Sequence, residues 1–315
     1  MGLYRSVRAV TGASGDGPID WNAVAKAAKA SVDPGNLDVS AAEQQAYAND
    51  ARDARDRVRA VTSLDFDLPE RVEIQNRHHW LDANIATFER VMTPLEQQTQ
   101  KAPGVAQMTN TGSMAFSLRF LSSHVLGQYD PLLLADNDAH ALYFVRPNIK
   151  HVAEVLDVSY PRFRRWIAFH EITHAAEFGG APWLSAHLET NMQETIEKLS
   201  SGNLDRSTLG QLDTTMTAVE GYAELIMDRA FDEEYDDMRR KLEQRRDGQG
   251  PVEQLIRRVL GLSVKRRQYE RGKNFFETVV ELRDIETASR VWESPERLPT
   301  DTELDDPRAW LSRIN

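Results

Sequence analysis

The chain has 315 residues, enough for one large domain or two modest ones, and its 41% hydrophobic and 28% charged residues suit a folded globular protein. Asp and Glu outnumber Lys and Arg by 49 to 38, and the resulting charge of −11 argues against a phosphate-binding surface and hence against nucleic-acid partners. The absence of cysteine excludes disulfides, thiolate catalysis and Cys-type zinc fingers, so a firmly held transition metal must rest on imidazole nitrogen and carboxylate oxygen.

Residues 1–18, rich in Gly and Ser, read as a flexible lead to a single domain over 19–315. They show no apolar core followed by a cleavage signal, and Met1-Gly2 with Ser6 is only a weak match to a myristoylation signal; the expected address is the cytoplasm. No run of about eighteen apolar residues predicts a membrane span. Trp21, Val24, Ala25 and Ala28 recur at helical spacing, and Asp33-Pro34-Gly35 breaks that helix. Residues 40–62 predict a second helix, its acidic and basic residues interleaved on a solvated face. NRHHWLDANIATFERVMTPL predicts a third, ending near Pro94; the adjacent His78 and His79 point in different directions on it and cannot share one site. These elements make a helical N-terminal part, 19–100, ahead of a metal-site part, 101–315.

Residues 113–127 continue the helical pattern, with Gly127 as its stop. ALYFVRPNI, 141–149, is rich in aromatic and β-branched residues and reads as a short strand. Helices then run to about residue 200, followed by a Ser201-Gly202-Asn203 turn and a long helix over 208–230. A break at 245–251 precedes more helices to about 292, and a Pro-rich tail ends in a Trp-bearing segment that docks on the body. The expected class is mainly α with a small β element.

The stretch FHEITHAAEF sets His170 and His174 four residues apart with Glu171 behind the first. Helical geometry brings positions i and i+4 to one face, so both imidazoles can bind one Zn²⁺. Glu171 then projects beside the ion, where it can take a proton from bound water and deliver it to a leaving group. Trp166, Ile167, Phe169 and Ile172 give the motif an apolar setting, and excluding water strengthens the field of the ion.

A catalytic zinc normally has three protein ligands and one open position. Position 180, where a longer HExxHxxGxxH motif carries its third histidine, is Gly180. Glu177 lies roughly 10 Å beyond His170 along the axis, too far to share the ion, and suits a carboxylate that supports a ligand or anchors a turn. His187 follows a bend and could fold back as a ligand or as an oxyanion partner. The strongest candidate is Glu220 in AVEGYAELIMD, with Glu224 and Asp228 one and two turns further on; Glu224 could orient His170 or His174 through its free ring N–H. Tyr222 is a second candidate for stabilising an oxyanion, and Tyr129 reads as core packing. The strand at 141–149 could line the cleft and pair with an extended peptide.

HEITHAAEFGGAPWLSAHL, with VLGQYDPLLL upstream and EGYAELIMD downstream, resembles the type-2 zincin-like family. The likeness runs nearly end to end, from IDW at 19–21 and NRHHWLDAN at 76–84 to KRRQYERGKNFF at 265–276 and WESPERLP at 292–299. Members are usually labelled hydrolases or metallopeptidases, sometimes associated with deazaflavin coenzyme biosynthesis. The resemblance implies a zincin-like helical domain, His170, His174 and Glu220 as zinc ligands, Glu171 as catalytic base, and a peptide or other amide as substrate. Leu225 departs from it, standing where the family often carries a polar residue. A zincin fold surviving without catalysis, as a binding or scaffold protein, is the alternative; a fourth protein ligand closing the metal sphere would mark it.

Overall fold

The computed structural model describes residues 17–69, 71–98, 104–130, 141–200, 206–231 and 262–314, with Ser6, Val10, Asp237, Met238 and Arg240. Most of the lead at 1–18, the turn at 201–203 and the break at 245–251 lie outside the described residues. The first helices start where the sequence supplies caps. Helix α1 (Trp21–Ser31) is capped by Asp20, whose carboxylate accepts from the Ala23 amide, and α2 (Ala41–Val61) by Ser40, which accepts from Glu43. Helix α3 (Arg77–Gln98) runs on through Pro94, and α4 (Gly104–Ser122) begins nine residues before the expected start at 113.

The strand expected at 141–149 divides in two. Ala141–Val145 is β3, and Pro147 then sits in the first turn of α5 (Arg146–Leu156), where its missing N–H costs nothing. Two strands escaped the sequence reading: β1 (Arg71–Gln75) and β2 (Gly127–Asp130). They flank β3 in the order β1-β3-β2, β1 parallel to it with Ile74 beside Phe144, and β2 antiparallel with Tyr129 beside Leu142. All five β3 residues are buried and both its edges are paired, so β3 cannot receive an added peptide strand.

The remaining main elements are α6 (Tyr160–Gly180), α7 (Leu184–Ser200), α8 (Arg206–Ala230) and α9 (Leu262–Leu282), followed by short helices to Ile314. The main core gathers α2, α5, α6, α8 and α9 around Phe144, Phe163, Phe169, Tyr222, Phe276 and Trp292. A smaller core joins α1, α3 and α4 through Trp21, Trp80 and Leu118. The two cores cut across the 19–100 and 101–315 division, because α2 belongs to the first and α4 to the second. The tail docks as expected: Trp310 is buried and its indole N–H donates to the Arg297 carbonyl at 2.7 Å. Among the described residues no helix is long and apolar enough to cross a membrane.

Two arrangements fix the helices that matter for the site. Buried ion pairs hold α2 against α5 and α6: Arg146 grips Glu43 at 2.7 and 3.0 Å, and Arg164 reaches Asp50 at 2.7 Å. Desolvating two charges is tolerable only when each is met by its partner at hydrogen-bond distance. Helices α8 and α9 cross where Gly221 meets Gly272; a Cβ on Gly221 would stand 2.3 Å from the Gly272 carbonyl carbon, and one on Gly272 would stand 2.2 Å from the Thr217 oxygen. Backbone cannot retreat as a flexible side chain can, so a methyl group there must separate the helices. Gly221→Ala is therefore expected to lower unfolding free energy by about 3 kcal/mol, the upper range for overpacking, measured by urea denaturation. A change within about 0.5 kcal/mol, the ordinary scatter of surface substitutions, would show that the crossing is loose.

Candidate metal centre

Helix α6 is apolar almost all round, which is the pattern of a helix buried on every side. Phe163, Trp166, Ile167, Phe169 and Ile172 are buried along it, and Pro161 opens its first turn. Arg164 and Arg165 turn to the carboxylates of α2, whereas His170, His174 and Glu177 share another face. Phe163, Trp166 and His170 form a stacked ladder with ring centroids 5.8 and 5.9 Å apart, which fixes the His170 ring plane. His174, one turn on, meets His170 edge to face at 82°.

The two imidazoles point their Nε2 atoms at each other, 3.2 Å apart. Glu220 arrives from α8, its Oε2 3.9 Å from His174 Nε2, and one ligand atom from each of the three residues lies within 4.8 Å of the others. Behind the pair, His174 Nδ1 donates to Glu177 Oε2 at 2.8 Å. The Glu177 side chain has no exposed surface, whereas those of His174 and Glu220 keep 13% and 19%. Glu171, on the neighbouring face, accepts the Tyr129 amide N–H of β2 at 2.8 Å through Oε2.

The electrostatics follow from placing three carboxylates and two imidazoles in a desolvated interior. Burial pushes Glu171 up to about 7, against the pull of His174 and the Tyr129 amide. Burial likewise pushes Glu177 up to about 7, opposed by its bond with His174. His170 falls to about 3, from burial and then the charge of His174. For His174 burial works against the proton, yet the Glu177 hydrogen bond and the nearby carboxylates outweigh it and raise the group to about 10. A doubly protonated His174 donates from Nδ1 to Glu177 and from Nε2 to the His170 lone pair, which accounts for the short contact. A cation taking the place of that Nε2 proton is equally well accommodated. Two nitrogens bound tetrahedrally at about 2.0–2.1 Å sit roughly 3.3 Å apart, close to the 3.2 Å found. The donor set of two nitrogens and a carboxylate oxygen, surrounded by excess negative charge, fits a divalent ion of the zinc type.

Other expected participants stand elsewhere. Tyr222 is fully buried, and its hydroxyl bonds Ser289 at 2.8 Å and Thr62 at 2.7 Å. Two residues along a helix are about 200° apart, so Tyr222 faces away from Glu220 and packs between Phe276 and Trp292. The oxyanion role expected of it has no support in this geometry. His187 accepts from Asn191 Nδ2 at 3.0 Å, lies 3.5 Å from the Thr215 hydroxyl and packs on the Trp183 ring; burial lowers its proton affinity. Of the two carboxylates expected to support a ligand, Glu177 is the one on His174 Nδ1, and Glu224 is half-buried one turn beyond Glu220. Asp228, a further turn on, is held by Lys273 at 2.6 Å. Leu225 lies about 140° around α8 from Glu220 and is buried in the main core, so its apolar side chain fills a packing position. The Tyr129 amide was missed altogether, because a main-chain donor has no sequence signal beyond the strand that presents it.

A solved structure from Chloroflexus aurantiacus, provisionally described as a hydrolase with a novel fold, is 27% identical to this chain, covers 99% of it and 98% of its own length, and superposes with a TM-score of 0.72. No curated protein matches. The family model described as zincin-like metallopeptidase matches residues 19–207 and 196–311, nearly the whole described chain and both helices that meet at the cluster. The chain therefore belongs to the zincin-like metallopeptidase family.

Proposed function

We propose that the protein is a zinc-dependent hydrolase of peptide or other amide bonds. The observation that carries this reading is the opposed pair of imidazole nitrogens, 3.2 Å apart beside Glu220, with the buried carboxylate of Glu171 directly after His170 on the same helix. In it His170, His174 and Glu220 hold Zn²⁺, which when bound supplies a positive charge that stabilises the oxygen charge developing at a carbonyl under attack. Glu177 keeps the His174 proton on Nδ1, leaving the Nε2 lone pair for the ion. Glu171 takes a proton from the attacking water and returns it to the departing amine. Burial raises its proton affinity above that of an ordinary carboxylate, the direction a general base needs. Family membership and the hydrolase-like neighbour support the same chemistry at the coarser level.

Two experiments separate the roles. Glu171→Gln is expected to keep about one equivalent of zinc while turnover of a peptide library falls by a factor on the order of 10³, measured by metal analysis and product mass spectrometry on the same preparation. Full activity in that variant would remove Glu171 as base. Glu177→Ala is expected to weaken zinc binding about 10–100-fold in chelator competition, because His174 loses the partner that fixes its tautomer. Unchanged affinity would mean that α6 packing alone orients the ring.

A further inference from the structure

We propose that Gly127 and the Tyr129 amide of β2 form a seat that fixes the Glu171 carboxylate beside the imidazole pair, making Gly127 a positioning residue for the reaction. The inference rests on Glu171 being the base. A Cβ built on Gly127 would stand 2.6 Å from Glu171 Cγ, 2.7 Å from Oε1 and 2.8 Å from Cδ, distances that real Cβ atoms essentially never show. Two residues on, the Tyr129 amide donates to Oε2 at 2.8 Å. One strand thus holds one oxygen by a hydrogen bond and, at Gly127, leaves no room for a side chain beside the other.

Backbone conformation does not explain the glycine. Gly35 is the described glycine with positive φ, and Gly127 is not one; it pairs in register with Phe144, an extended position that other residues occupy readily. A glycine inside a strand weakens it and commonly marks a close approach. What approaches here is the side chain of Glu171, which is only 7% exposed and so has little room to withdraw. The strand cannot withdraw easily either, since β2 is zipped to the fully buried β3 and the Tyr129 ring packs on Phe178 of α6 at 5.6 Å. Of the two oxygens, Oε2 is committed to β2, which leaves Oε1 as the one to receive a proton. A side chain at 127 would press on that oxygen.

The test is a double-mutant cycle with Gly127→Ala and Glu171→Ala, read by thermal unfolding and therefore independent of any substrate. Gly127→Ala is expected to lower Tm by roughly 3 °C or more in the parent protein, as overpacking does. In the Glu171→Ala background, where Cγ, Cδ and both oxygens are gone, the same change is expected to cost less than about 1 °C, the scale of a neutral substitution. Equal losses in both backgrounds would overturn the seat. If Gly127→Ala alone fails to fold while the double variant does, the coupling is established all the same. On any substrate the parent cleaves, Gly127→Ala is expected to retain zinc and lose about 100-fold in kcat, the cost of a displacement near 1 Å, with KM little changed. A raised KM with intact kcat would overturn the positioning role. Thermal coupling in a parent that cleaves nothing would support the seat and remove the hydrolase reading instead.

Discussion

Two imidazole lone pairs 3.2 Å apart repel unless something positive lies between them, and the structure around α6 is organised by that constraint. The Trp166 ladder fixes one ring and Glu177 fixes the other, so neither histidine can turn away to relieve the contact. A proton on His174 satisfies the pair, and a divalent ion in its place would do the same. The Nε2 separation lies within about 0.1 Å of what tetrahedral ligation at ordinary Zn–N distances requires, so the helix would offer a zinc-type ion a site already formed.

Such a site places charge in a core. Glu171, Glu177 and the imidazoles belong to a helix whose Phe163, Trp166, Phe169 and Ile172 are buried in the core, where an uncompensated carboxylate is strongly disfavoured. The upward shifts of Glu171 and Glu177 record that cost: burial drives them, His174 opposes them, and Glu220 adds a smaller push. Rigidity comes from outside the cluster. The Gly221–Gly272 crossing sets the height of Glu220 on α8, the buried Arg146–Glu43 and Arg164–Asp50 pairs lock α2 onto the helices beneath, and β2 closes over Glu171.

Much of the helical framework was legible in the sequence. The periodicity of Trp21, Val24 and Ala28 and the interleaved charges of 40–62 are local properties, and they marked α1 and α2 nearly to the residue. The pairing of His170 with His174 was legible for the same reason, since i and i+4 share a helical face whatever surrounds them. The sheet was not. β1 and β2 are five and four residues long, and RVEIQ and GQYD carry too few alternating apolar residues to declare themselves. Gly127 looked like a helix stop because glycine marks both helix ends and close approaches, and only the neighbouring chain distinguishes them. Tyr222 shows the opposite failure: its position two residues from Glu220 already ruled out a shared face, and helical arithmetic alone could have assigned it to the core.

Metal content and ligand environment of the wild-type protein, purified without a histidine tag or added zinc and examined by elemental analysis with X-ray absorption at the zinc edge, bear most directly on the imidazole pair. The expected result is about one zinc per chain, with first neighbours at about 2.0–2.1 Å that are nitrogen and oxygen and include two imidazoles. Less than about half an equivalent of any transition metal, given the tight binding that three ligands confer, or a spectrum without imidazole scattering, would contradict it.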